Sequence, residues 1–194
     1  MKSIELNGAF DEAMYPSIES TLKLIHELHD GQTDHTGKPY VAHPIRVARN
    51  VRALAPQSSD DVVMAAMLHD TVEDCGIDEE YLRQRGYSDE SIVIVRLVTK
   101  PENDFRSYDE VIDDLIASGN KGAMIVKLAD NMDNLHPARV ADLKETNPIK
   151  AERLGDRYRA SIDKLCIATG IASKTVHHLI SSAPNLKTAE TSLS

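Results

Sequence analysis

Three stretches of the chain carry side chains whose types and spacing could do chemistry. In the first, seven apolar residues, Val62 to Leu68, run straight into His69-Asp70-Thr71-Val72-Glu73-Asp74. Read as one helix, this segment stacks His69 over Glu73 and Asp70 over Asp74, each pair four residues apart on one face. One wall of a buried helix then presents an imidazole and three carboxylates. Leaving such charge buried and unpaired costs several kcal/mol per ion. A divalent cation compensates it; the plainer alternative is an acidic helix end that surfaces into water.

The second stretch, Ile125 to Leu135, reads IVKLADNMDNL. It places Asp130 and Asn134 on one face, and Asp130 follows an apolar run much as Asp70 does. The third is His43, at a helix start between Val41-Ala42 and Pro44; taken alone, such a histidine reads equally as a cap or a packed residue. Together, two His and two Asp make a mixed nitrogen and oxygen set. That set suits Mn, Fe or Zn better than Mg, which prefers oxygens and water. Four ligands on an octahedral ion leave two positions for water and a substrate oxygen, and an open position separates a catalytic site from a structural one.

Helices must position these residues. Ile18, Leu22, Ile25 and Leu28 recur at three- and four-residue steps, and Gly31 stops that helix. After the loop DHTGKPY, His43-Pro44 opens a second helix with Ile45, Val47, Ala48 and Val51 inside. Ser58-x-x-Asp61 has capping-box spacing and introduces a central helix that runs through the HDTVED segment to Gly76. Further helices are predicted over about 78–85, 88–100, 107–118, the AMIVKLADNMDNL segment, 148–169 and 173–182. No hairpin signal appears. The reading is all-α.

Composition agrees. The 194 residues include six Tyr, two Phe and no Trp, 41% are hydrophobic and 27% charged. That balance fits a helical globular chain rather than a sheet-built one or a disordered one. The expected organisation is a loose segment over 1–15, one domain over 16–182 and a flexible tail over 183–194. With 22 basic and 31 acidic residues the net charge is −9, which argues against a general DNA or RNA binder. Gly170 to Val176 echoes the start of a recognition helix, but it offers one Lys and is followed by two His, too little for base and phosphate contacts. No apolar run is long enough to span a membrane, and MKSIELNGAFDEAM lacks the apolar core of a secretory signal. Two lone cysteines, Cys75 and Cys166, suit a reducing cytoplasm.

The combination YxxHP (Tyr40 to Pro44), HDxxED (His69 to Asp74) and KLADxxxN (Lys127 to Asn134), in this order, resembles the HD-domain metal phosphohydrolases. Within them it is most similar to the (p)ppGpp hydrolase domain of the Rel/Spo proteins and to stand-alone small alarmone hydrolases, over roughly Leu22 to Leu165. The resemblance implies an HD-domain helical bundle around a buried metal site. It assigns His43, His69, Asp70 and Asp130 as ligands of Mn(II), and Glu73 and Asp74 as the pair that orients and deprotonates water. Asn134 becomes a contact to the nucleotide, and the implied reaction releases pyrophosphate from the 3′ position of a guanosine polyphosphate. Where the family often carries an Arg-Lys pair before the turn, this chain has Asp34 and His35. Lys38, Arg46, Lys100, Arg106 and Lys127 are candidates to meet phosphate in its place, and Tyr158 to pack on a base. The expected partner is a small phosphorylated nucleotide. Whether the chain forms a homo-oligomer stays open, as do two alternatives: the same chemistry on NADPH or a nucleoside phosphate, or a nucleotide sensor without turnover.

Overall fold

The computed structural model describes residues 15–34, 37–101 and 103–183. Among them run α1 (Ile18–Leu28), α2 (Ala42–Leu54), α3 (Asp60–Leu68), α4 (Thr71–Asp74), α5 (Glu79–Gln84) and α6 (Asp89–Val98). Then follow α7 (Tyr108–Ala117), α8 (Lys121–Asn134), α9 (Pro137–Thr146), α10 (Pro148–Thr169) and α11 (Ser173–Ser181). No strand occurs among the described residues; one isolated bridge, Thr33 to Pro39, pins the loop before α2. The expected all-α HD-type bundle is the fold observed. The loose 1–15 segment, the 183–194 tail and His35 fall almost wholly outside the described residues.

Side-chain oxygens start most of these helices by accepting otherwise orphaned backbone N–H groups. Ser88 and Ser107 do so for α6 and α7, and Glu110 reaches back to Ser107 to complete a capping box. For α3 the cap is Ser59, whose hydroxyl accepts from the Val62 N–H. The Ser58–Asp61 box is therefore displaced by one residue. Asp61 is occupied elsewhere: its carboxylate accepts from the hydroxyls of Ser88 and Ser91 and ties α3 to α6.

Two helices form the centre. Every residue from Val62 to Leu68 is buried, because α3 is apolar all round and packs on α1, α2, α6 and α8. Helix α8 packs on α2, α3, α6, α7, α10 and α11. At Gly122 a Cβ would stand 2.8 Å from Ile94 Cδ1, so the missing side chain lets α8 approach α6 closely. Helix α11 lies against α2, α8 and α10. The segment resembling a recognition helix is thus packed onto the bundle.

Two features differ from expectation. Helix α3 stops at Leu68 instead of running through to Gly76, and α9 occupies a stretch where no helix is predicted. No described helix is long and apolar enough to cross a membrane.

Candidate metal centre

Three helical neighbourhoods supply the cluster. His43 sits in the first turn of α2, Asp130 in the last turns of α8, and His69 and Asp70 at the junction between α3 and α4. On an unbroken helix, residues i and i+1 do not face each other. At this junction they converge: His69 Nε2 is 2.9 Å from Asp70 Oδ2. Asp70 caps the new short helix with φ −101° and ψ −5°. The expected stacking of His69 over Glu73 is replaced by this arrangement, and Glu73 instead accepts from the backbone N–H of Lys100 at the end of α6.

His43, His69 and Asp130 each bring one ligand atom to within 4.8 Å of the others, and all three are buried. Asp70 closes the set, with Oδ2 3.5 Å from His43 Nε2; Asp130 Oδ1 lies 3.4 Å from that nitrogen and 3.9 Å from His69 Nε2. The hydrogen bonds assign the tautomers. His69 Nδ1 is 2.9 Å from the Ala66 carbonyl, an acceptor only, so Nδ1 holds the proton and Nε2 is left a lone pair. That Nε2 is buried and has no donor aimed at it; it faces only carboxylate oxygens, of Asp70 at 2.9 Å and Asp130 at 3.9 Å. His43 Nδ1 lies 2.7 Å from Asp133 Oδ2, which turns its Nε2 inward in the same way. Two lone pairs and two carboxylates facing one space fit a divalent cation.

The electrostatics say the same. Burial would lower the His43 pKa, but the carboxylates of Asp130 and Asp133 override it and carry it up to about 9. In the metal-free protein a proton stands in for the cation. Burial would raise Asp70, yet the imidazoles of His69 and His43 hold it well below the ordinary carboxylate range. Burial likewise opposes ionisation of Asp130, and the Lys127 ammonium at 3.0 Å reverses that. Glu73 and Asp74 stand at the accessible rim, where partial desolvation, helped by Asp70, raises both.

The expected substrate contacts divide. Asn134 Nδ2 donates to Asp130 Oδ1 at 2.7 Å, and together with Arg139, Lys150, Leu154 and Tyr158 it lines a cavity of about 140 Å³. Tyr158 also meets Tyr108 edge-on, ring centres 6.0 Å apart. Lys127 is committed to Asp130. Lys38 bonds Asp142 of α9 at 3.1 Å, and Arg106 pairs with Asp104 and Asp114. Arg46 donates to Asp133, from Nε at 2.6 Å and Nη2 at 3.1 Å. Asp34 accepts from the Lys38 backbone N–H at 3.1 Å and closes its turn.

Three side-chain roles escaped the sequence reading, although Tyr40 stands in the YxxHP motif. The Tyr40 hydroxyl donates to Asp70 Oδ2 at 2.5 Å, Asp133 holds His43, and Arg139 donates to both Asp133 and Asn134. Asp133 left one signal: it stands three residues after Asp130 on the same buried helix.

The family model described as HD domain matches residues 21–110, the part of the chain that carries His43, His69 and Asp70. Among characterised relatives, a guanosine-3′,5′-bis(diphosphate) 3′-pyrophosphohydrolase of Vibrio cholerae is 36% identical over 72 residues, 37% of this chain and 10% of that protein. A probable enzyme of the same name from Synechocystis is 32% identical over 155 residues, 75% of this chain and 19% of that protein. The chain thus spans less than a fifth of these relatives. A solved structure described as a metazoan ortholog of SpoT that hydrolyzes ppGpp superposes with a TM-score of 0.57 at 25% identity, covering 86% of this chain and 98% of that one.

Proposed function

We propose that this protein is a metal-dependent phosphohydrolase that removes pyrophosphate from the 3′ position of a guanosine polyphosphate such as ppGpp, with Mn(II) as its ion. The observation that carries the reading is the buried group of His43, His69 and Asp130, with Asp70 Oδ2 2.9 Å from His69 Nε2 and 3.5 Å from His43 Nε2. Relatives and a structural neighbour named for ppGpp hydrolysis support the substrate. His43, His69, Asp70 and Asp130 would hold the ion. When bound, a divalent ion activates water and offsets charge on a phosphoryl group.

The chain's own residues do the rest. Glu73 and Asp74, at the rim and with pKa raised by partial burial and by Asp70, would receive the proton from water. Lys100 fixes Glu73 through its backbone N–H. Tyr40 orients Asp70. Asn134 joins the cluster to the adjoining cavity, where Lys150 and Tyr158 offer a cation and a ring to a nucleotide.

A second reading keeps the chemistry and changes the nucleotide, to NADPH or a nucleoside phosphate. It is favoured by Asp34, which closes a turn where a stacking cation would otherwise stand. The test is a screen of the Mn(II)-loaded protein against ppGpp, NADPH and nucleoside 3′-phosphates. Pyrophosphate from ppGpp is expected; phosphate from another nucleotide alone would select the second reading. Glu73→Ala should lower turnover at least about 100-fold with metal content unchanged. Equal turnover by that variant would remove the role of Glu73, and binding without any turnover would make the protein a sensor.

A further inference from the structure

His43 and His69 are buried side by side, with ring centres 5.2 Å apart, yet the outer nitrogens of the two rings have different partners. His69 Nδ1 rests on a backbone carbonyl, a neutral acceptor. His43 Nδ1 rests on the carboxylate of Asp133, 90 residues away in sequence and 2.7 Å away in space. Asp133 is 2% exposed and is not one of the residues converging on the cluster interior. Its two oxygens are taken by Arg46 from α2 and by Arg139 from α9, at 2.6, 3.1 and 3.2 Å. Two guanidiniums converge on this one buried carboxylate and balance its charge. They also leave it no freedom to swing toward the cation itself.

We infer that Asp133 is a positioning residue, which through His43 Nδ1 sets the tautomer and ring orientation that present Nε2 to the metal, with Arg46 and Arg139 locking it in place. The inference rests on His43 being a ligand. The physical basis is general: an imidazole whose far N–H is held by a carboxylate is fixed in one tautomer, turned to one angle and made a stronger donor. A neutral carbonyl gives the first two of these and less of the third. His43 is therefore the tuned ligand of the pair and His69 the plain one. Because Arg46 belongs to the helix that carries His43, and Asp133 to the helix that carries Asp130, the same bonds set the distance between those two ligands.

The test is metal affinity of the full chain by competition with a fluorescent chelator, for Mn(II) and Zn(II). Asp133→Asn should weaken binding about 10- to 100-fold. Arg46→Gln, which leaves Arg139 on Asp133, should weaken it less. Unchanged affinity in a folded Asp133→Asn protein overturns the inference. Should that variant not fold, the wild type decides: in the Zn(II)-loaded protein, nitrogen NMR of the imidazoles should show His43 protonated at Nδ1. Protonation at Nε2 instead overturns the inference. Weakened metal binding in a protein that cleaves no nucleotide leaves this inference standing and removes the hydrolase reading; turnover with unaltered affinity in Asp133→Asn does the reverse.

Discussion

His43 and His69 face one space, but only His43 is held between two carboxylates, and this shows in how the metal-free protein should respond to pH. Its folded-state pKa of about 9 lies above the ordinary 6.5. The stability it contributes is therefore complete below about pH 6.5 and lost as pH rises through about 9. In EDTA, the melting temperature should decline across that interval, and His43→Gln should lack the decline. A melting temperature flat from pH 6.5 to 9 in the wild type would contradict the raised pKa. At this scale much was legible beforehand. His69, Asp70 and Asp130 stand out because each follows an apolar run, where an ionisable group is unexpected. Asp133, Arg46 and Arg139 were not legible in their roles, because a charged residue on a helix looks the same whether it meets water or a buried partner. Lys127 reads as a free cation in sequence and is a buried counter-ion in space.

Among the elements, the junction after α3 matters most. Leu68 is fully buried, and its carbonyl accepts from the Thr71 hydroxyl at 2.7 Å. It anchors the backbone from which His69 and Asp70 project. Leu68→Ala should cost about 2–5 kcal/mol, from lost burial plus the cavity left behind. Urea unfolding checks this; a loss under about 1 kcal/mol would show that the neighbouring helices collapse into the gap. The helical course from Val62 onward was readable from its apolar run. The stop at Leu68 was not, since neither Gly nor Pro marks it; there the Thr71 hydroxyl bonds the Leu68 carbonyl. Helix α9 was missed for another reason. Its sequence, PARVADLKET, buries only Arg139, so it lacks the apolar period by which a helix is read.

Across the whole molecule, the cluster joins α2, the α3–α4 junction and α8, whose packing also makes the centre of the bundle. A cation bound there stabilises the folded chain by linkage. At 100 times its dissociation constant the gain is about 2.7 kcal/mol, or a rise of about 5–10 °C in melting temperature for a chain of this size. Thermal melting with Mn(II) against EDTA measures it, and identical curves would show that the cluster takes up no ion in solution. Net charge and composition predicted the acidic, helical character of the molecule; the mutual placement of the three helices follows from side-chain packing that no single segment contains.

The spacing of the four candidate ligands along the chain also orders their appearance on the ribosome. His43, His69 and Asp70 emerge first, whereas Asp130 follows 60 residues after Asp70. A nascent chain can therefore offer an ion three donors at most until α8 has left the exit tunnel. The four-residue set can assemble only once α8 has been made, and a chain that stops before that point has an incomplete set of donors.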